Sequence, residues 1–357
     1  MKVKNLFIKL ELEGNGIVNF DSDDQKFIFN DQPNHHLKYF KNNCKFAKKN
    51  LYKNDDGSLD YKIKISSDCL KYNMFNEDKI AESPKIASYD AVLYSFIASP
   101  LGIVKGFMFP VENCKRSGAI GIYDAEQTNN AMSFLELHTK SGEKVSYDIA
   151  IDKKDTSMFY EENLGKITYS GGGNIDIMKL QFMSNDQIFD RHAFTPDKFD
   201  IFKAFLQLRL KNFNSELGYH KLKNSSIDLD EYGFMFSSEN VLDLVKYILK
   251  CVLSIDIRRG GSYAKISALK IKLVYNPLKD LLEKDDNWID IKSDTDIDNL
   301  SFEMNDFYEL VDHAEALKKR EALESAFKAK QALQKQATKA KLATKKDKNK
   351  SSEDTDE

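Results

Sequence analysis

Six stretches with two different apolar periods predict an α+β fold. Along residues 3–13 the apolar positions alternate (Leu6, Ile8, Leu10, Leu12), which is the pattern of a half-buried strand. Along 85–99 (Ile86, Tyr89, Val92, Leu93, Phe96, Ile97) and 239–254 (Val241, Leu242, Val245, Ile248, Leu249, Val252) they recur every three or four positions, as on a helix. Three more β-type runs, 102–109, 174–183 and 264–275, complete the order β, α, β, β, α, β. That βαββαβ order is the one of a ferredoxin-like, RRM-type core. It leaves two long insertions, at about 14–84 and 110–173, and a helical, basic C-terminal tail over 314–357.

The first strand is expected to end at Gly14-Asn15-Gly16, glycines that suit a bulge or a close backbone approach. GNG lacks the third glycine and the following helix of a dinucleotide site. Residues 38–64 interleave cations with aromatics, among them Lys38, Tyr39, Lys41, Lys48, Tyr52 and Lys62. Cations suit phosphates and ring faces suit bases, so this stretch fits single-stranded nucleic acid; it equally fits a solvated insertion with a small aromatic core. His35 and His36 are adjacent and have no third ligand nearby, so no metal is assigned. Residues 66–75 read as short helical turns.

The expected helix 85–99 feeds the expected strand 102–109, and a loop then presents Lys115-Arg116 before Ser117-Gly118. Cations beside a glycine suit a phosphate backbone, because glycine lets N–H groups approach. Pieces near 132–138 and 144–151 flank Ser141-Gly142 and predict a hairpin with its turn there. Gly171-Gly172-Gly173 reads as a turn between strands, and no GK[ST] follows it. Residues 196–213 predict another helix. Ser237 or Ser238 is placed to cap the helix at 239. After that helix, Arg258-Arg259-Gly260-Gly261-Ser262-Tyr263 forms a second basic, glycine-rich corner. Asp294, Asp296 and Asp298 begin like a calcium loop, but Asn299 stands where glycine is needed and Asn305 where glutamate is, so calcium is excluded. Helix is expected from about 302 to 343, with a charged end beyond.

The chain has 357 residues, 31% charged and 41% hydrophobic, with a formal net charge of −3. These values fit a soluble globular protein. No apolar run nears 18 residues, so no transmembrane helix is expected, and the alternating N-terminus does not read as a signal peptide. Four scattered cysteines without a CxxC fit reduced thiols in a cytoplasm. The charge is uneven. Residues 314–350 hold 12 Lys/Arg against 4 Asp/Glu, and the last seven residues add 4 acids, leaving −7 on residues 1–313. A nucleic-acid binder of this kind has to gather its cations on one face.

Seven motifs in order resemble the repeated backbone subunit of CRISPR Cascade complexes, most closely the version in the minimal type I-F variant. They are GNGIVNF (14–20), LKYFKN (37–42), DCLKYNMF (68–75), IVKGFMFPVENCKRSG (103–118), DTSMFYEENLG with the glycine-rich turn that follows it (155–173), MKLQFMSNDQIFDR (178–191) and LSIDIRRGGSY (253–263). The resemblance implies a non-catalytic subunit without cofactor or metal that polymerises along the spacer of a crRNA. It implies a palm, a finger-like insertion and a thumb hairpin, with target DNA pairing to the presented bases. The implied partners are crRNA, target DNA through it, copies of the chain and other Cascade subunits. Carried over, Lys115, Arg116 and Ser117, and Arg258, Arg259 and Tyr263, would meet RNA at the two corners. Lys38, Tyr39, Lys41 and Asn42 would lie on the RNA-facing insertion, and Asp155, Thr156, Ser157, Met158 and Phe159 on the thumb. The chain departs from the pattern at Gly260-Gly261, where a further cation is expected, at Lys71-Tyr72-Asn73, and in the tail.

Two other readings stay open. A generic RRM-like RNA-binding protein would form no regular assembly. A type III-like backbone subunit would cut target RNA with an aspartate, for which Asp124 and Asp155 are the candidates. A third possibility puts the function in the tail, whose Ala/Leu pattern is helical.

Overall fold

A computed structural model describes residues 2–21, 44–53, 56–57, 59–75, 90–109, 114–130, 133–143, 154–186, 191–223, 230–259, 261–276, 287–322 and 325. It is a mixed α/β structure built on antiparallel sheets. Its centre is β1 (Asn5–Asn15), in which Leu6, Ile8, Leu10 and Leu12 alternate with polar or half-exposed residues and are buried. That alternation gives the strand one core face and one open face. β1 lies between β12 (Lys166–Asp176) and β18 (Ser262–Val274), antiparallel to both along its whole length.

The sheet extends on both sides. Beyond β18 lie β17 (Asp256–Arg259) and β19 (Ile289–Ile291). Beyond β12 lie β8 (Ile120–Ile122) and β9 (Ala125–Gln127), then β5 (Leu59–Ile65) and β4 (Lys49–Lys53). Residues 49–65 therefore widen the central sheet. A second sheet joins β10 (Ser133–Glu143) and β11 (Lys154–Leu164) to β3 (Cys44–Ala47) and β2 (Phe20–Asp21), with β11 and β3 parallel. A third runs β14 (Arg191–His192), β13 (Phe182–Asp186), β16 (Glu231–Met235), β15 (Gly218–Leu222), β20 (Tyr308–Val311). β6 (Phe107–Phe109) and β7 (Cys114–Arg116) form a small hairpin.

Helices cover the core face. α1 is Ser67–Met74, α2 is Asp90–Ile97, α3 is Pro100–Lys105, α4 is Ile177–Gln181 and α5 is Phe199–Arg209. α6 is Ser238–Leu253, α7 is Asp294–Asp298, and α8 spans 313–322. α6 starts where Ser237 accepts a hydrogen bond from the Asn240 N–H. It packs on α3, α4 and β18. Its buried Val241, Leu244, Val245, Ile248, Leu249 and Val252 each stabilise the fold by about 1.5–3 kcal/mol relative to exposure. Within the same core an aromatic group, Phe194, Phe199, Phe202, Phe213, Phe234 and Phe236, joins α5 to the third sheet.

Several expectations need correction. The run 102–109 is a strand only at 107–109, which is β6: residues 100–105 are α3. Ser99 caps it through the Gly102 N–H, Pro100 sits where its missing N–H costs nothing, and the Gly106 N–H closes the turn on Gly102 O. Capping overrode the β-branched residues. The strand beside β12 is supplied by β8 and β9 instead. The triple glycine is not a turn but the middle of β12. A Cβ on Gly173 would lie 2.4 Å from Gly121 O, and one on Gly172 2.8 Å from Ile8 O, so crowding between strands demands glycine there. Ser141 and Gly142 are not a turn either, since they pair with Thr156 and Asp155 within the β10–β11 hairpin. The expected strand 174–183 breaks at α4, whose Asp176 caps the Lys179 N–H. β15, β16 and β20 were not foreseen. Helix begins at 313 rather than 302, because β20 takes up 308–311. The expected second strand of the thumb, 144–151, lies outside the described residues.

The expected tail begins inside α8, and α8 is tied to the body. Arg320 donates to both oxygens of the buried Asp186 and, at 2.9 Å, to Asp230 O, and it lies 4.7 Å from the Tyr219 ring centroid. Lys319 reaches the buried Asp230 carboxylate at 3.7 Å. Two of the tail's twelve cations are thus turned into the protein.

Candidate nucleic-acid interface

The two basic corners expected from sequence lie at opposite ends of the central sheet. Asn15 pairs with Tyr263 at one end, beside the β17–β18 turn. At the other end Asn5 pairs with Asp176, whose N–H bonds Ala119 O just after Gly118. Eleven residues of β1 separate them, about 33 Å at the rise of a strand.

At the corner beside Asn15 the hairpin of β17 and β18 carries Arg258 opposite Tyr263 and Arg259 opposite Ser262. Both arginines are exposed, and Tyr263 is 41% exposed. Arg258 donates to the Asp256 carboxylate at 2.8 and 2.9 Å, which raises its already high pKa. Its charge is permanent, and the pairing carboxylate is itself at the surface. Arg259 points to the other side of the hairpin and lies 4.5 Å from the Phe20 ring centroid, a cation–π contact. Phe20 belongs to β2, so this contact links the central sheet to the sheet that holds the β10–β11 hairpin.

Glycine makes the approach possible. A Cβ on Gly14 would fall 2.2 Å from Tyr263 O. Gly16 has φ 74°, and a Cβ there would fall 2.1 Å from Ser262 Oγ. The GNG stretch therefore seats the basic hairpin. α1 packs against β17 beneath it. Burial raises the pKa of the α1 thiol Cys69 and outweighs the charges of Arg259 and Lys48, which pull it down.

α1 is held by Asp124, which accepts from the Ser67 N–H at 2.8 Å and pairs with Lys64 at 2.8 Å. Burial raises the Asp124 pKa. The bonds from Lys64 and Ser67, with the charges of Lys64 and Lys48, outweigh burial and leave it lowered. Both oxygens of this candidate aspartate are engaged in structure. The side chain of the other candidate, Asp155, is outside the described residues. Among the described residues no group of three His, Cys, Asp or Glu is placed to hold a metal.

The Lys115-Arg116 corner differs from expectation. Lys115 and Arg116 are not in a loop; they pair with Met108 and Phe107 in the β6–β7 hairpin. Arg116 does not reach outward. Its guanidinium donates to Ile103 O at 3.0 Å, to Phe182 O at 3.0 Å and to Lys179 O. The side chain is half-buried, and burial lowers its pKa to about 10. Arg116 thus ties the end of α3 to α4 and β13, and the phosphate role expected for it is corrected to a positioning one. Lys115 is half-buried and Ser117 exposed.

Asp155, Thr156, Ser157, Met158 and Phe159 lie on β11, where their backbones pair with residues 138–142 of β10. Lys38, Tyr39, Lys41 and Asn42 lie outside the described residues. Sequence reading missed Phe20 as the seat of Arg259. The only signal was its place in GNGIVNF, six residues after Gly14.

No helix among the described residues is long and apolar enough to cross a membrane. No curated protein matches the sequence. Among solved structures, a chain of a "CRISPR RNA-guided surveillance complex" is similar at 8% identity and TM-score 0.35, covering 79% of this chain and 76% of that one. A chain of a "CRISPR RNA-guided surveillance complex, pre-nicking" is similar at 8% identity and TM-score 0.34, covering 75% and 77%. The assignment rests on a family model instead: residues 2–302 match that of "Type I-Fv CRISPR-associated protein Cas7fv-like", and the chain belongs to that family.

Proposed function

We propose that the chain is a non-catalytic backbone subunit of a type I CRISPR effector, Cascade, which holds the spacer part of a crRNA. The observation that carries this reading is the Arg258–Arg259 hairpin seated on Gly14 and Gly16, with exposed cations and an exposed tyrosine at one sheet end. The strand order β18, β1, β12, then β8 and β9, with α3 and α6 over one face, supports reading the central sheet as a ferredoxin-like, RRM-type palm. The long β10–β11 hairpin supports a thumb. In this reading copies of the chain line up along the RNA, hold its phosphates and leave the bases to pair with target DNA. Other Cascade subunits cap the assembly in the cytoplasm, and cutting belongs to a separate protein.

The test is to co-express the chain with its genomic neighbours, purify the assembly and sequence the bound nucleic acid. Discrete RNAs of one length with a constant repeat-derived end are the expected result. A smear of host RNA on a monomer would replace this reading with a generic RNA-binding module. A metal-dependent cut in complementary RNA, lost in Asp124→Ala or Asp155→Ala, would replace it with the type III-like one.

A further inference from the structure

We infer that the two adjacent arginines of the β17–β18 hairpin do different work on the RNA: Arg258 binds a phosphate, and Arg259, seated on Phe20, stacks on an unpaired base. The inference rests on the RNA-holding function proposed above and deepens it.

Strand alternation separates the two side chains. Arg258 faces the Tyr263 side of the hairpin and Arg259 the Ser262 side. Arg258 has 77% of its side chain exposed and pairs with Asp256, whose side chain is 41% exposed. A solvated cation of this kind suits a phosphate, for which it exchanges Asp256. Arg259 is held differently. Its guanidinium sits 4.5 Å from the Phe20 ring centroid, yet the residue is exposed. The ring anchors the guanidinium, and the residue stays open to solvent. A planar cation pre-set on an aromatic ring is a surface on which a base stacks, and single-stranded RNA offers bases free to do so. Every base has a π face, so this contact tolerates any sequence, as a subunit that carries many spacers requires.

The test uses the full-length chain and two probes: a short single-stranded RNA and the ribose-phosphate oligomer of equal length without bases. Affinities are read by fluorescence anisotropy across a salt series. The wild-type chain is expected to prefer the RNA by about tenfold more than Arg259→Lys does, since lysine keeps the charge and loses the plane. Phe20→Leu is expected to lose the same preference. Arg258→Ala is expected to keep the preference, while its slope of log affinity against log salt falls by about 0.7, the value of one phosphate on a single strand. Equal preference in Arg259→Lys and wild type, with matching melting curves, would overturn the stacking role and leave the RNA-holding function standing. Binding of neither oligomer by the wild-type chain would overturn both.

Discussion

Two pairs of cations that look alike in sequence, Lys115-Arg116 before Ser-Gly and Arg258-Arg259 before Gly-Gly, occupy opposite ends of one sheet and different environments. At the first, the arginine is drawn in and its donors go to carbonyls of α3, α4 and β13. At the second, neither arginine has a backbone partner among the bonds described above, and both are exposed. The difference comes from what surrounds each turn. Arg116 lies where helix ends and a strand start leave carbonyls without partners, and a guanidinium satisfies several at once. Arg258 and Arg259 lie at the tip of a hairpin whose backbone is already paired. A basic pair beside glycine is therefore no guide to phosphate binding until its neighbours' backbone needs are known.

The largest expected effect comes from breaking the first corner. Arg116→Ala removes three charge-assisted hydrogen bonds and leaves carbonyls without their donor, at a cost of about 4 kcal/mol in urea unfolding. A cost near zero would mean that the arginine is free for RNA after all. Next comes the seat of the second corner. Gly14→Val places a side chain against Tyr263 O, and loss of about 2 kcal/mol is expected, along with weaker RNA binding as the hairpin is displaced.

Asp124→Asn is expected to cost about 1 kcal/mol at neutral pH through the α1 contacts. The Asp124 pKa is lowered by folding, so its contribution is complete above the ordinary carboxylate range and is lost as pH falls through the folded value. The gap between wild type and variant should narrow as the pH of unfolding is taken from 7 down through the acid range. A gap that persists would mean that the charge of Asp124 does not hold α1. The smallest effect on stability is expected for Arg258→Ala, with an unfolding curve that overlays that of wild type, since an exposed pair contributes little.

The legible parts of the fold were those set by apolar period. β1, β18 and α6 follow the alternation and the helical stripe, and their capping and burial are local. The strands β15, β16 and β20 were not legible. Gly218–Leu222 and Glu231–Met235 are short, polar at half their positions, and stabilised by partners up to about ninety residues away in the chain. The site was half legible. RRGGSY and GNG each stood out, but that one seats the other is a long-range packing fact, visible only in the clash a Cβ would make. Arg116 was misread because its partners, Lys179 O and Phe182 O, lie more than sixty residues on.

The most direct measurement is the salt dependence of RNA binding for wild type, Arg258→Ala and Arg116→Ala, with unfolding of each followed alongside. The structure predicts a slope reduced by about 0.7 in Arg258→Ala at unchanged stability. It predicts an unchanged slope in Arg116→Ala, with stability greatly lowered. A reduced slope in Arg116→Ala at full stability, and none in Arg258→Ala, would show that the RNA runs across the opposite end of the sheet.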